Sequence, residues 1–485
     1  MKKGLSKSRI IAGRQCPKRL YLETYHPELK DDSNLEAVFA IGNAFGALAR
    51  GLYPGGLLIE QDDDLSGAID TTAAAMNDDS VDTLFEATFA HDGVLVRADI
   101  LGKDKNGLVL TEVKSSTSVK PTHIDDCAVQ AWVLTNLGFT VNRIQLGHVN
   151  NQFKYPGAGN YQGILKEVDI TSTVQPLIQQ VDHWVSEGHD ILANPEPEIE
   201  VGRQCSTPYA CPFKEHCWPP QPDYPVSNLP NKGKIVQELL AEGIEDIRDI
   251  PEGRLTSPLQ ERVRRITRAG REELDPRAAE IMNAFPYPRY HLDFETAGPA
   301  IPVWEGMRPN QAVPFQWSCH IERDATTLEH REFLDTSGNL PIRPLAEAMI
   351  ETLGTEGPVF MFSSFERTVI NRLIQSLPDL AEPLSRIVER LVDLKPIVKD
   401  HYYHPDMQGS WSIKNILPAM IPELKYTDLD GVSGGMAASN AYIEIIDSAT
   451  TPDRKTQLEK ELLAYCELDT LAMVKVAQRL AQAGT

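Results

Sequence analysis

The chain has 485 residues, with 47 basic and 69 acidic side chains, a net charge of -22, 41% hydrophobic and 24% charged residues. That length supports at least two substantial cores and excludes a small disulfide-stapled scaffold, and the composition is that of folded globular protein. A field this acidic repels polyanions at long range, so any contact with nucleic acid must be local.

The chain opens basic. Lys2, Lys3, Lys7, Arg9, Arg14, Lys18 and Arg19 all precede Glu23, a cluster that reads either as a solvated helix face or as a local phosphate contact. No apolar run of signal-peptide type is present, and the uncharged stretch 37–49 is too short and too polar to span a bilayer. The expected setting is cytoplasmic, without membrane contact. There the seven cysteines should stay unpaired and be explained by metal binding, catalysis or burial.

From Thr83 the sequence TLFEATFAHDGVLVRADILGKDKNGLVLTEVKSS holds three β-rich runs separated by HDG and GKDKNG, turn chemistry that predicts an antiparallel meander. Alternation in GLVLTEVK puts Leu108, Leu110, Glu112 and Lys114 on one face, and Asp99 on the preceding strand can approach Glu112 across the turn. Two carboxylates and a lysine can hold Mg²⁺ or Mn²⁺ and orient a water for attack on phosphorus, although an isolated E-x-K is commonly a solvent-facing charge pair. Glu86 on the first strand offers a further carboxylate or a salt bridge. A helix over about 124–137 carrying Gln130, a strand over 141–149 and an amphipathic helix over about 174–192 complete an α/β unit.

CSTPYACPFKEHC places Cys205, Cys211 and Cys217 at C-x5-C-x5-C, and Cys16 sits in RQCPKRLYL. These spacings exceed those usual for structural zinc, and a four-thiolate iron–sulfur cluster suits them better, with zinc and simple burial as the alternatives. Cys127, Cys319 and Cys466 lie in apolar context and read as buried.

The prolines of WPPQPDYPVSNLP, residues 218–230, mark a boundary. Residues 232–284 read as short helices punctuated by Gly243 and Gly253, with Arg262, Arg264, Arg265, Arg268 and Arg271 among them. That pattern fits a helical spacer or, loosely, a helix-hairpin-helix element that holds phosphates through turn amides. From Tyr290 onward the chain reads as one α/β domain. YHLDFET puts His291, Asp293 and Glu295 on one strand face, where the acids repel unless a cation binds them, and YCELD puts Tyr465 and Asp469 one helical turn apart.

Two resemblances follow from these motifs. Cys16, RADIL, EVKSS, the helix with Gln130 and the cysteine triplet resemble a RecB-type PD-(D/E)XK nuclease with an iron–sulfur cluster, the layout shared by a four-cysteine CRISPR-associated Cas nuclease and the AddB nuclease domain. The resemblance implies a restriction-endonuclease-like domain over 1–222. In it Asp99 and Glu112 would be metal ligands, Lys114 would activate water, Gln130 would support the site, and Cys16, Cys205, Cys211 and Cys217 would hold a 4Fe-4S cluster. The sequence departs from that pattern where IGNAFGALARGLYPGG lacks a metal-binding histidine and Leu134 replaces a tyrosine.

HLDFET, FSSFERTVINRL, GSWSIKNILPAMIP and YCELD resemble the DnaQ-like exonucleases of the ribonuclease H fold, in the tyrosine-bearing DEDDy subgroup. They are similar in particular to an uncharacterised bacterial family often fused to RecB-like iron–sulfur nucleases. This second resemblance covers 286–485, leaving 223–285 as a helical linker. It implies that Asp293, Glu295, Glu366 and Asp469 hold two divalent ions, Mg²⁺ or Mn²⁺, and that Tyr465 orients the attacking water. Glu366 stands where such enzymes usually have Asp, and His291 is expected to be structural or to touch substrate. The expected protein is a multidomain α/β, metal-dependent nuclease with 3'-5' exonuclease activity on single-stranded DNA, RNA remaining open, in repair, recombination or defence. The alternative is a nucleic-acid-binding or scaffold protein with one or both sites degenerate.

Overall fold

The computed structural model describes residues 4–31, 35–60, 65–424, 426, 429 and 431–484, so Lys2 and Lys3 lie outside the described residues. The chain is an α/β protein of two compact units, Met1–Pro219 with Pro299–Asn310, and Pro220–Gly298 with Gln311–Thr485.

Unit 1 begins with helices α1 (Lys7–Gln15), α2 (Pro17–Tyr25) and α3 (Leu35–Gly51). The expected meander follows as β1 (Thr83–His91), β2 (Val94–Asp104) and β3 (Gly107–Lys114), paired antiparallel. Its first turn is built by Asp92 and Gly93, whose φ values of 45° and 74° give the type I' geometry that matches strand twist and that Asp-Gly supplies. Helix α4 (Pro121–Asn136) then crosses to β4 (Val141–Val149), which runs parallel to β3, and β5 (Leu165–Asp169) closes the edge antiparallel. The core lies between α4 and the sheet, where Leu84, Ala98, Leu110, Val129, Trp132 and Leu146 are buried. The long helix expected over 174–192 is instead α5 (Thr171–Ile178) and α6 (Val181–Ala193). Pro176 lies inside α5, where it lacks a donor and crowds the preceding turn, which keeps that helix short.

Unit 2 contains α7 (Gly233–Ala241) and α8 (Pro258–Ala269). Its sheet has the order β8–β7–β6–β9–β10, from β6 (Arg289–Ala297), β7 (Val313–Glu322), β8 (Leu328–Leu334), β9 (Val359–Met361) and β10 (Leu391–Asp393). The first three are antiparallel, and β9 and β10 join parallel. Helix α9 (Phe365–Ser376) follows β9, α10 (Leu394–His401) follows β10, and α11 (Ile413–Met420) precedes the long α12 (Pro452–Ala481), which packs on β6 and β7.

Segment 223–285, expected as a linker, is part of this unit. Val226, Leu229, Leu239, Ile247, Val263 and Ile266 share one core with Phe360, Leu394, Tyr402 and Met473. Nor is there a tight hairpin between α7 and α8, since residues 242–257 with a 3-10 turn at Ile247–Asp249 join them. Within the arginine group, Arg262 and Arg265 pair with Glu273, and Arg264 pairs with Glu261. The N-terminal cations are likewise engaged, Lys7 with Glu112, Arg14 with Asp125, Lys18 with Glu196 and Arg19 with Glu23. No described helix is long and apolar enough to cross a membrane.

Candidate functional site

In unit 1 the β2–β3 ladder runs from Asp104/Gly107 to Ile100/Thr111 and ends one residue short of Asp99 and Glu112. Beyond it the strands are joined by a side chain, as Asp99 Oδ2 accepts from the Val113 N–H at 2.6 Å. Glu112, 1% exposed, is held at both oxygens. Oε1 takes Lys7 Nζ and Lys114 Nζ, each at 2.7 Å, and Oε2 accepts from Gln130 Nε2 at 2.6 Å. Lys114 also reaches Asp126 Oδ2 at 2.8 Å. The four expected residues Asp99, Glu112, Lys114 and Gln130 are thus brought together, and Asp99, Glu112 and Lys114 line a cavity of about 970 Å³.

Burial works to raise the Glu112 carboxyl, but Lys114 and Lys7 outweigh it and hold the group below the usual carboxylate range. Asp99, buried beside the Glu112 charge, is pushed up to about 7. Lys7 and Lys114 on Oε1 already neutralise Glu112, while Oε2 carries only the Gln130 amide, so a divalent ion here would compete with two lysines for the carboxylate's charge. Glu86 lines the same cavity at the left-handed φ of 56° and pairs with Arg50 at 3.0 Å. The early helix supplies no histidine, but α4 places His123 in the cavity. Burial and Lys114 push that imidazole down to about 4, so it is neutral at pH 7.

Cys16 lies between α1 and α2, and it lines one small pocket with Cys205, Cys211 and Cys217. A tetrahedral zinc with bonds of about 2.3 Å holds its sulfurs about 3.8 Å apart. Among the described residues no three of these sulfurs lie within 4.8 Å of one another. Lys18, Arg19, Lys214 and Glu200 stand on the pocket wall, with Lys18 paired to Glu196 and Arg19 to Glu23. The remaining cysteines, Cys127, Cys319 and Cys466, are fully buried, as expected.

Unit 2 gathers its acids without such compensation. Asp293 and Glu295 project from β6 and Asp469 from α12, with ligand oxygens all within 4.8 Å of one another. Glu366 enters from the first turn of α9, 2% exposed, and its Oε2 is buried with no partner. The approach to α9 is held by Asp393, which accepts from Ser363 N and Lys395 N, each at 2.9 Å, and fixes Ser363 at a φ of 90°. Tyr426 hydrogen-bonds Asp469, and Tyr465, one helical turn before Asp469 on α12, faces the same cavity. Asp293, Glu295, Glu366, Asp469 and Tyr465 border a cavity of about 410 Å³ that is also lined by Phe365 and Lys414, both exposed.

Burial raises all four acids, and repulsion by neighbouring carboxylates adds to it at Asp293, Glu295 and Glu366. Asp293 stands well above its ordinary value, Glu295 is pushed up to about 8, Glu366 to about 7, and Asp469 is also raised. Lys414 opposes this at Glu295 and Asp469. Its Nζ donates to Ser433 O at 2.7 Å and stands 5.1 Å from the Tyr465 ring. Four crowded carboxylates, one lysine and an orphaned oxygen make a donor set that fits hard divalent cations. His291 lies outside this cavity, fully buried with Nε2 at 3.0 Å from Glu322 Oε2, which is a structural role.

Sequence reasoning missed Lys7, Asp126 and His123 in unit 1, and Tyr426, Asp393 and Lys414 in unit 2. Lys414 had a signal, since it is the cation within the singled-out segment GSWSIKNILPAMIP.

Residues 290–412 match a family model described as a domain of unknown function, DUF2779. That match spans Asp293, Glu295 and Glu366 and stops before Lys414, Tyr465 and Asp469. No curated protein matches the chain. A solved structure described as "Crystal structure of SSO0001" is similar at 15% identity over 45% of this chain and 87% of its own, with a TM-score of 0.25.

Proposed function

We propose that the chain is a metal-dependent phosphodiester hydrolase in which unit 2 is a 3'-5' exonuclease acting on single-stranded nucleic acid, DNA foremost. The observation that carries this reading is the meeting of Asp293, Glu295 and Asp469 within 4.8 Å, with the Glu366 oxygen beside them unpartnered. Divalent ions held there would stabilise the attacking and leaving oxygens of an in-line displacement. Tyr465 orients the attacking water from α12. Lys414 takes a non-bridging phosphate oxygen as a charge-assisted donor. Phe365, exposed at the cavity edge, offers a face on which the terminal base stacks.

Unit 1 supports two readings. The first is a RecB-like nuclease module with Lys114 beside the attacking water. The second is a nucleic-acid-binding module that does not cut, favoured by the engagement of both Glu112 oxygens by the chain's own side chains. End-labelled single-stranded DNA with Mg²⁺ or Mn²⁺ separates them. Unit 2 activity shortens the strand from its 3' end, and cutting that survives loss of Asp293 and stops in Lys114→Ala belongs to unit 1. If neither DNA nor RNA is cut under either metal, the hydrolase reading falls.

Cys16, Cys205, Cys211 and Cys217 would hold an iron–sulfur cluster that ties the two ends of unit 1 together. Protein purified without oxygen is then brown, contains about four irons per chain and bleaches on reduction. A colourless protein with one zinc per chain overturns this.

A further inference from the structure

We propose that an amide-lined pocket beside the carboxylate cavity of unit 2 is a second nucleotide site. It holds a nucleotide of a single strand upstream of the one whose phosphodiester lies among the acids, and so it rests on the hydrolase reading of that cavity.

The pocket measures about 450 Å³ and is walled by Asn228, Asn231, Lys232, Gln408, Ser410 and Asn415. In a chain of net charge -22 no carboxylate lines it. Side-chain amides present donors and acceptors together, which is what the edges of unstacked bases require, and a single lysine is matched to one phosphate. The volume lies in the range of small-molecule sites.

Its walls are fixed before any ligand arrives. Gly409 has a φ of +71°, and a Cβ there would fall 1.9 Å from the Asn228 carbonyl oxygen, so only glycine lets the two wall segments meet. Asn228 Nδ2 donates to Gln408 Oε1 at 2.9 Å, and Gln408 Nε2 donates to Asp223 O at 3.1 Å. Asn231 and Gln408, on opposite walls, adopt left-handed φ values of 53° and 51°, conformations that persist in non-glycine residues only where the surroundings over-determine them.

The start of α11 joins this pocket to the acids. Ile413 and Lys414 line the carboxylate cavity, while Ser410 and Asn415 line the amide pocket. A strand whose scissile phosphate meets Lys414 therefore passes its next nucleotides over Asn415 toward Lys232.

The test uses the full chain in metal-free buffer with oligonucleotides carrying a photoreactive thiothymidine at successive positions from the 3' end. A label about two to four nucleotides from that end should crosslink to peptides spanning 228–232 or 408–415. Asn231→Gly/Lys232→Ala, which keeps the left-handed turn and alters two exposed residues, should lower that yield about tenfold, and Lys232→Glu should lower it further. With metal restored, the double variant should raise KM for a hexanucleotide about tenfold, leaving kcat and dinucleotide cleavage unchanged. Crosslinks that map elsewhere, or that persist in both variants, overturn the proposal. A wild-type protein that crosslinks as described yet cuts nothing retains the nucleotide site and overturns the hydrolase reading alone.

Discussion

If unit 2 is the proposed exonuclease, Asp293→Asn should stop 3'-5' shortening and at the same time make metal-free unit 2 more stable at pH 8. The loss of activity should reach about a hundredfold or more, because even groups one step removed from a metal cost on that scale. The gain in stability has a separate cause. The folded pKa values of the cluster are raised, Glu295 to about 8 and Glu366 to about 7. Below the unfolded value near 4.5 both states are protonated and the cluster carries no penalty. As the pH rises toward 8 the unfolded chain releases protons that the folded chain retains, so stability falls across that window. Removing one acid while keeping its volume relieves the others and flattens the curve. Thermal melts between pH 5 and 8 check this, each kcal/mol being worth roughly 2–4 °C in a unit of this size. Mg²⁺ or Mn²⁺ should raise the wild-type melting temperature at pH 8 and leave the variant nearly unmoved. A variant that melts lower than wild type at pH 8 without metal would show that the acids do not repel one another.

What the sequence disclosed about this site follows from short-range geometry. Asp293 and Glu295 are two apart on a strand, and Tyr465 and Asp469 are four apart on a helix, so each pair's common face is readable from its period. The same holds for Glu112 beside Lys114, and for the meander, whose Asp-Gly turn has only one comfortable geometry. Pairings across long separations were not readable. Lys7 reaches Glu112 from 105 residues away, and nothing in KGLSKSRI marks it apart from its basic neighbours. Tyr426 meets Asp469, and Asp393 pins Ser363 ahead of Glu366, only because α12 and β10 pack as they do. Segment 223–285 misled for a related reason. Its prolines and glycines are real breaks, but whether short helices stand free or complete a neighbour's core depends on the partner surface of Phe360, Leu394 and Tyr402.

Glu112→Ala should act on stability in the opposite sense to Asp293→Asn, although both remove a buried carboxylate from a cavity. At Glu112 the charge is answered twice, by Lys7 and Lys114 at 2.7 Å, and Gln130 holds the other oxygen. Taking the carboxylate away strands Lys7, 20% exposed, and leaves Lys114, 27% exposed, with Asp126 as its one ion-pair partner. It also leaves the amide of Gln130, whose Oε1 is already unpartnered, with no acceptor at Glu112. Removing one partner from a buried, paired site costs about 3 kcal/mol or more, discounted here because both lysines retain some water. The folded Glu112 pKa is depressed, so its contribution is full at neutral pH and is lost only as acid protonates the group, and the variant's deficit should shrink in strong acid. Metal should rescue neither the melt nor any cutting by unit 1, since the missing group is the one the lysines require. The contrast between the two variants distinguishes a carboxylate cluster that awaits a cation from one that the chain has already neutralised. Equal and same-signed shifts would mean that both cavities share one electrostatic design.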